Sequence, residues 1–305
     1  MSIFKKRETI VGTLAYMSIM VAINAVFVLL TTLVPFLLFL LVFVLPLTHA
    51  IVTIYCKKRF YPIYFVATLG ICTLVTLWNF SDTFFYVLPS LVTGFIFGLL
   101  IEKKVSPILA IMVSTFIQIG FTYLSLPLIK LIFNIDMIAF FLKVFGLESF
   151  AYPQYIASIF ITILSLGQMV ITYIFLYESL LKMNVDGEPV FKDSWCLIGL
   201  NGILFSLATL FAFIYPDLTF MFLILTTPIS LYFAIELIKQ SKKLMPVLLG
   251  ISLLIALFLT AGLYKTIANY SALGLAPLFA SSFLFTIIFL FNYLLNKNKV
   301  AKIEK

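Results

Sequence analysis

Charged side chains are scarce in this chain of 305 residues, in which Asp, Glu, Lys and Arg together make up 10% and hydrophobic residues 63%. A soluble domain is about one quarter charged and about one half apolar. The mean hydropathy of +1.19 reflects the same imbalance. The composition therefore predicts an all-α, polytopic helical membrane protein and argues against a soluble globular fold.

Histidine and cysteine are also rare, with one His and three Cys in the chain. His49 alone cannot build a His-based metal site or a catalytic triad. Cys56, Cys72 and Cys196 show neither pairing nor metal-ligand spacing, so we interpret them as small packing residues. His49 is expected to be neutral and hydrogen-bonded, with a gating or proton-handling role as the alternative. No cofactor or metal is predicted.

Recognisable catalytic sequence patterns are missing as well. The chain carries no Walker, Rossmann, nucleophile-elbow or zinc-protease motif. No acidic or basic residue falls in the middle of a predicted span, which argues against a proton-driven carrier and against an intramembrane protease. The protein is therefore predicted not to be an enzyme. A membrane-embedded lipid or isoprenoid enzyme is the weakest of three functional hypotheses.

The placement of basic residues predicts the orientation in the membrane. About ten spans with both termini cytoplasmic put 17 of the 20 basic residues inside and leave only Lys130, Lys143 and Lys265 outside. The net charge of +8 follows from this topology and does not indicate a nucleic-acid partner. We expect a multi-pass protein of a bacterial plasma membrane. Its predicted parts are a six-helix bundle over 1–182, a cytoplasmic linker over 183–194 and a four-helix bundle with a basic tail over 195–305.

Two predicted spans carry the same polar pattern, Gln118 with Thr122 and Gln168 with Thr172. A glutamine amide is costly in hydrocarbon because it needs several hydrogen-bond partners. Polar stripes on two consecutive antiparallel helices are expected to face each other or a shared cavity. They would serve either as hydrogen-bonding contacts between helices or as a solute path, and the sequence leaves both interpretations open.

The connection between these two spans is the longest external one, running from about residue 128 to 153. Its Ile135–Leu147 portion mixes Asp136 and Lys143 with apolar residues. This pattern predicts an amphipathic helix that lies on the membrane, or a cap over a cavity. A connection of this length is often functional.

Small residues recur at helical spacing in the first part of the chain, where they suit close helix packing. One such stripe precedes a Leu-Pro element, and another precedes a charged helix end. These elements are Ala15, Ser18, Ala22 and Ala25; Leu45 and Pro46; and Leu88, Pro89 and Ser90 with Gly94 and Gly98 before Glu102, Lys103 and Lys104.

With these motifs, residues 1–182 resemble the membrane S components of energy-coupling-factor vitamin transporters. The resemblance implies a solute site near the outer face and a surface that meets a transmembrane coupling protein and its ATPase module. It implies solute contacts for Trp78, Asn79 and Asp82, and partner contacts for Ala15, Ser18 and Ala22. The chain departs from that family by about four further spans, and in this respect it resembles larger bacterial membrane proteins that share such a first part.

The leading hypothesis is a transport-related membrane protein that binds a small, largely neutral solute and has no ATPase of its own. The expected solute-binding residues are the two glutamines and two threonines above, together with the three residues that the resemblance implies. The alternative is a membrane scaffold or regulatory partner that does not transport.

Overall fold

The computed structural model describes residues 6–34, 37–77, 81, 83–144, 146, 153–181 and 194–240. Within these ranges the regular structure is helical, as the sequence predicts, and contains no strand. The helices are α1 (Ile10–Leu33), α2 (Leu38–Tyr55), α3 (Tyr61–Val75), α4 (Leu88–Glu102), α5 (Pro107–Phe133), α6 (Met137–Val144), α7 (Pro153–Leu181), α8 (Ser194–Ile214) and α9 (Pro216–Gln240). A π-helical turn, Thr83–Val87, leads directly into α4.

Four helical segments are long and apolar enough to cross a membrane: Ile10–Leu33, Thr83–Glu102, Pro107–Phe133 and Ala157–Tyr177. Three further apolar segments are shorter, namely Leu41–Tyr55, Cys196–Phe211 and Leu218–Phe233. Their lengths and composition are compatible with a membrane protein. The two last predicted spans, after residue 240, lie outside the described residues, as do residues 183–193 of the predicted linker 183–194 and the basic tail.

One predicted boundary is wrong. The sequence predicts that the fifth span ends near Pro127, directly before the connection that starts at about residue 128. Instead α5 continues through Pro127 to Phe133 and ends at Asn134, which adopts a left-handed conformation (φ 55°). Proline in a long apolar helix is tolerated where neighbouring groups satisfy the freed carbonyl, so it does not mark a helix end here.

The chain forms two compact units. The first comprises residues 1–153 and 161–191, and the second comprises 154–160 and 192–305. In the first unit, α2 packs against α4 most extensively, α4 packs against α5, and α1 contacts both α2 and α3. Fully buried side chains of this core include Leu45, Val52, Leu91 and Phe97.

In the second unit, α8 and α9 form an antiparallel pair. Phe211 and Phe222 stack with ring centroids 5.3 Å apart near the turn between them. Pro228 lies inside α9 and supplies no N–H to the carbonyl of Ile224. The hydroxyl of Thr227 donates to that carbonyl at 2.6 Å, so this proline does not leave an unsatisfied group.

Polar and apolar side chains are distributed in the opposite way to a soluble protein. The described helices bury many Ser, Thr, Asn and Gln side chains, whereas large aliphatic side chains such as Val66 (69% exposed) and Leu131 (84% exposed) point outward. An outward apolar surface is stable against lipid and unstable against water. This distribution agrees with the membrane class predicted from composition.

Glycines on α4 allow its close approach to α2, as the small-residue spacing predicts. A Cβ atom added at Gly94 would lie 2.5 Å from Cβ of His49 and 2.8 Å from the carbonyl oxygen of Pro46. One added at Gly98 would lie 2.8 Å from the carbonyl oxygen of Ala50. Because backbone atoms form this contact surface, neither position can accept a side chain without moving the helices apart.

We predict that Gly94→Ala lowers the stability of the protein by about 1–3 kcal/mol, the usual range for overpacking in a tight core. Gly120→Ala on α5 is the matched control, because a Cβ atom there meets no atom within 4 Å. Thermal melting of both variants in detergent measures the difference. Equal melting temperatures for the two variants would show that the α2–α4 contact is not tight.

Candidate functional site

The interior of the first unit is polar but carries no formal charge. Among the described residues, the buried polar side chains comprise no Asp, Glu, Lys or Arg. Buried polar groups require hydrogen-bond partners, above all where lipid surrounds the helices. The buried polar residues of this interior include Asn24, Thr48, His49, Thr93, Ser114, Gln118, Thr122, Gln168 and Thr172.

Gln168 on α7 satisfies a backbone group that a proline leaves unpaired. Pro46 lies inside α2 and has no N–H to donate to the carbonyl of Val42, four residues earlier. The side-chain Nε2 of Gln168 donates to that carbonyl oxygen. The bond joins residues 126 positions apart and ties α7 to α2. This contact gives Gln168 a structural role.

Gln118 on α5 bonds to a different helix. Oγ1 of Thr93 on α4 lies 2.6 Å from Oε1 of Gln118 and 2.7 Å from the carbonyl oxygen of Pro89. A hydroxyl has one hydrogen and cannot fully serve two acceptors. With the amide turned by 180°, Gln118 donates to Thr93 and Thr93 donates to Pro89, so that each of these two contacts has its own hydrogen.

The two glutamines are therefore bonded to different helices, Gln118 to α4 and Gln168 to α2. Both are buried, as are Thr122 and Thr172 one helical turn further on. The carbonyl of Thr122 accepts a hydrogen bond of 2.7 Å from Ser125. The expectation that all four residues contact a solute stays a prediction.

Some polar atoms on α7 and nearby helices have no hydrogen-bond partner. Gln168 uses its Nε2, but its Oε1 is buried and unpaired, and so is Oγ1 of Thr172. The two residues are four positions apart and share a face of α7, with Cβ atoms about 5–6 Å apart. Nε2 of His49 and Oγ of Ser114 are also buried and unpaired. Unpaired buried groups each cost about 1–3 kcal/mol.

A second polar cluster was not predicted as a site. Nδ2 of Asn24 on α1 donates to the Tyr64 hydroxyl at 2.9 Å, and that hydroxyl lies 2.7 Å from Nδ1 of His49. Thr48 lies 2.7 Å from Oδ1 of Asn24. The Tyr64 hydroxyl therefore joins Asn24 on α1 to His49 on α2 through two buried hydrogen bonds. The expectation of a hydrogen-bonded His49 is confirmed.

The signal for this cluster is present in the sequence. Asn24 is an amide in an apolar run, just as Gln118 and Gln168 are. Tyr64 carries no such signal, because a single sequence does not reveal that its hydroxyl turns inward. Asn24 and Tyr64 are 40 positions apart in the sequence, so no local pattern predicts their contact.

Trp78, Asn79 and Asp82, the residues implied to be near the solute, lie outside the described residues. The chain on either side of them is held together by a buried hydrogen bond of 2.6 Å between the hydroxyls of Thr76 and Thr83. The two ends of the α3–α4 connection, Thr76 and Thr83, are therefore in direct contact.

The small-residue stripe of α1 faces outward over most of its length. Ala15, Ser18 and Ala22 are exposed, whereas Ala25 is buried. The Ser18 hydroxyl donates to the carbonyl of Leu14 at 3.0 Å, so it makes its bond within α1. The three residues implied to meet a partner are accessible on one helix face, and their partner role stays a prediction.

The connection between α5 and α7, predicted to be external, contains the short amphipathic helix α6. Asp136 precedes it and accepts hydrogen bonds from the Ala139 backbone N–H at 3.1 Å and from Nζ of Lys130 at 2.9 Å. The Lys130 ammonium, followed by the Ala139 N–H, lowers the pKa of the Asp136 carboxyl. This exposed ion pair fixes the start of α6 to the last turn of α5.

The three cysteines form no disulfide bond in the structure. Cys56 and Cys72 are buried, as expected of packing residues, whereas Cys196 is exposed, and all three thiols are free. No cluster of three or more His, Cys, Asp or Glu side chains suited to a metal occurs in the part of the chain that the structure describes.

The chain matches no family model, no curated protein and no solved structure.

We predict that Thr93→Val and Gln118→Leu are coupled, with an interaction energy of about 1 kcal/mol in a double-mutant cycle, because each change removes the same interhelical bond. Thr115→Val is the matched control on α5, since Thr115 bonds to the Ile111 carbonyl of its own helix at 2.8 Å. Melting of the single and double variants measures the coupling.

The same cycle applied to Gln118→Leu and Gln168→Leu should be additive, because their bonding partners lie on different helices. Additivity of the Thr93 and Gln118 changes, or strong coupling of the two glutamines, would contradict the hydrogen-bond pattern described above.

Proposed function

We propose that the protein is a transport-related membrane protein whose first unit binds a small, largely neutral solute. In this proposal it crosses a bacterial plasma membrane about ten times, with both termini in the cytoplasm. The segregation of basic residues supports that topology. It has no ATPase of its own, since the sequence carries no Walker motif.

The observation that carries the proposal is the pair of unpaired oxygens on α7. Oε1 of Gln168 and Oγ1 of Thr172 are both buried, and neither has a hydrogen-bond partner in the described part of the chain. Gln168 is already held in place through its Nε2 bond to Val42. An amide fixed at one end presents its other end in a defined direction, and this favours recognition over adaptable packing.

The chemistry of these oxygens defines the class of solute. Oε1 of Gln168 accepts hydrogen bonds only, whereas the Thr172 hydroxyl can donate or accept. A complementary solute offers an N–H or O–H donor next to a second polar atom, as in an amide, a lactam or a vicinal diol. Since the buried polar side chains described in this unit include no Asp, Glu, Lys or Arg, a neutral solute suits them better than an ion.

The resemblance to S components supports a coupling partner for this unit. In such components, small residues of the first helix meet a transmembrane protein that is joined to an ATPase module. Ala15, Ser18 and Ala22 are exposed and offer a helix face that another backbone can approach. We propose that a coupling protein binds there.

A scaffold or regulatory protein that does not transport is the second candidate. The observation in its favour is that Nε2 of Gln168 and the amide of Gln118 already bond to neighbouring helices. In this alternative the polar interior holds the helices together and binds nothing. The two candidates differ in whether a solute stabilises the purified protein.

We predict that a neutral solute from a panel of nicotinamide, uracil, urea and glycerol raises the melting temperature of the wild type through mass action. Thr172→Val should remove most of this shift and leave melting without solute nearly unchanged, because the hydroxyl it removes has no partner among the residues that the structure describes. Differential scanning fluorimetry in detergent provides the measurement.

Thr115→Val is the matched control, since Thr115 is also buried and bonds only within its helix. It should keep the solute-induced shift. Absence of any shift in the wild type across the panel would favour the scaffold alternative. A shift that survives Thr172→Val would remove Thr172 from the solute site.

A further inference from the structure

Basic side chains from three separate segments meet at one end of the first unit. Nζ of Lys6, which precedes α1, lies 3.4 Å from Oε1 of Glu102 at the end of α4. Lys58, which follows α2, forms an ion pair with the other oxygen of Glu102. The backbone N–H of Arg7 donates to the carbonyl of Tyr55 at 2.8 Å and fixes the first segment to the end of α2.

This end carries a large excess of positive charge. Among the described residues of the three segments, two are acidic, Glu8 and Glu102, and seven are basic. We call this set the basic end; it consists of Lys6, Arg7, Lys57, Lys58, Arg59, Lys103 and Lys104.

Glu102 contacts Lys6 and Lys58, but its single negative charge does not balance the positive charge of the basic end. The Lys6 side chain remains 70% exposed and that of Lys58 43% exposed while both contact Glu102. An ammonium has three donors, and one carboxylate contact leaves the others available. Exposed ion pairs of this kind are weak and compete poorly with a second anion.

Exposed apolar side chains continue directly from the basic end. On α1, Ile10, Val11 and Leu14 are exposed within the first two turns after Arg7. On α3, Ile63 and Val66 are exposed within two turns of Arg59. Because α1 and α3 both begin next to the basic end and contact each other, exposed aliphatic side chains adjoin the basic segments on two neighbouring helices.

We propose that the basic end, with the adjoining faces of α1 and α3, binds an anionic phospholipid. Its phosphate would contact the Lys and Arg side chains, and its acyl chains would lie along the exposed aliphatic residues. A free phosphate ion or a nucleic acid would use only the charged part of this surface. A phospholipid uses both parts, and anionic headgroups are attracted to basic clusters next to membrane helices.

The test uses the full chain purified in neutral detergent and titrated with phosphatidylglycerol or with phosphatidylcholine of the same acyl chains. Native mass spectrometry counts the retained lipid, and melting reports stabilisation. We expect phosphatidylglycerol to bind at least tenfold more tightly than phosphatidylcholine. The double variant Arg59→Gln/Lys103→Gln should reduce this affinity by roughly 25-fold, since each basic side chain near an anionic surface contributes about fivefold.

Arg59 and Lys103 are chosen because the ion pairs with Glu102 involve Lys6 and Lys58 instead, so the variant keeps those contacts. Lys143→Gln is the matched control: it removes an exposed charge from α6, beyond the other end of α5, and should leave binding unchanged. A third titration uses glycerol phosphate, which has the headgroup charge but no acyl chains. Equal affinity for the two lipids, wild-type affinity in the double variant, or equal stabilisation by glycerol phosphate would each overturn the proposal.

Discussion

The hydrogen bond between Gln168 and the Val42 carbonyl is the contact on which this description of the first unit depends. In hydrocarbon, each backbone carbonyl must find a donor within the protein. Pro46 deprives Val42 of its donor and Gln168 supplies one, so that α7 and α2 are tied at a fixed register. The same proline offers its own carbonyl to the glycine face of α4, where a Cβ atom at Gly94 would lie 2.8 Å away. One residue of α2 thus governs contacts with two other helices.

This arrangement links stability to the proposed function. An amide that only joined helices would best use its nitrogen and its oxygen together, yet Oε1 of Gln168 is left without a partner beside Thr172. The cost of an unpaired buried oxygen, about 1–3 kcal/mol, is understandable if a solute donates to it. The polar groups that join helices would then have their hydrogen bonds formed, and the groups that recognise a small molecule would have theirs unformed until it binds. Polar groups without charge can do both at acceptable cost in lipid.

The sequence predicts the helical class and the burial of particular polar residues, because hydropathy and spacing are local properties. The Gly94 and Gly98 spacing correctly indicates a close helix approach but does not identify α2 as the neighbour. Gln118 and Gln168 are recognisable as buried amides, whereas their partners lie 25 and 126 positions away and follow only from the packing. The fifth span was predicted to end near Pro127, but α5 continues to Phe133, because a proline inside an apolar helix does not by itself end the helix.

The most direct test of the central claim is a double-mutant cycle of Pro46→Ala and Gln168→Leu on thermal melting. Gln168→Leu alone should cost about 1–3 kcal/mol, because it leaves the Val42 carbonyl unsatisfied. With Pro46→Ala, a backbone N–H at position 46 can serve that carbonyl, and Gln168→Leu should then cost little. Pro127→Ala is the control proline and should not change the effect of Gln168→Leu. Equal costs of Gln168→Leu with and without Pro46→Ala would contradict the account.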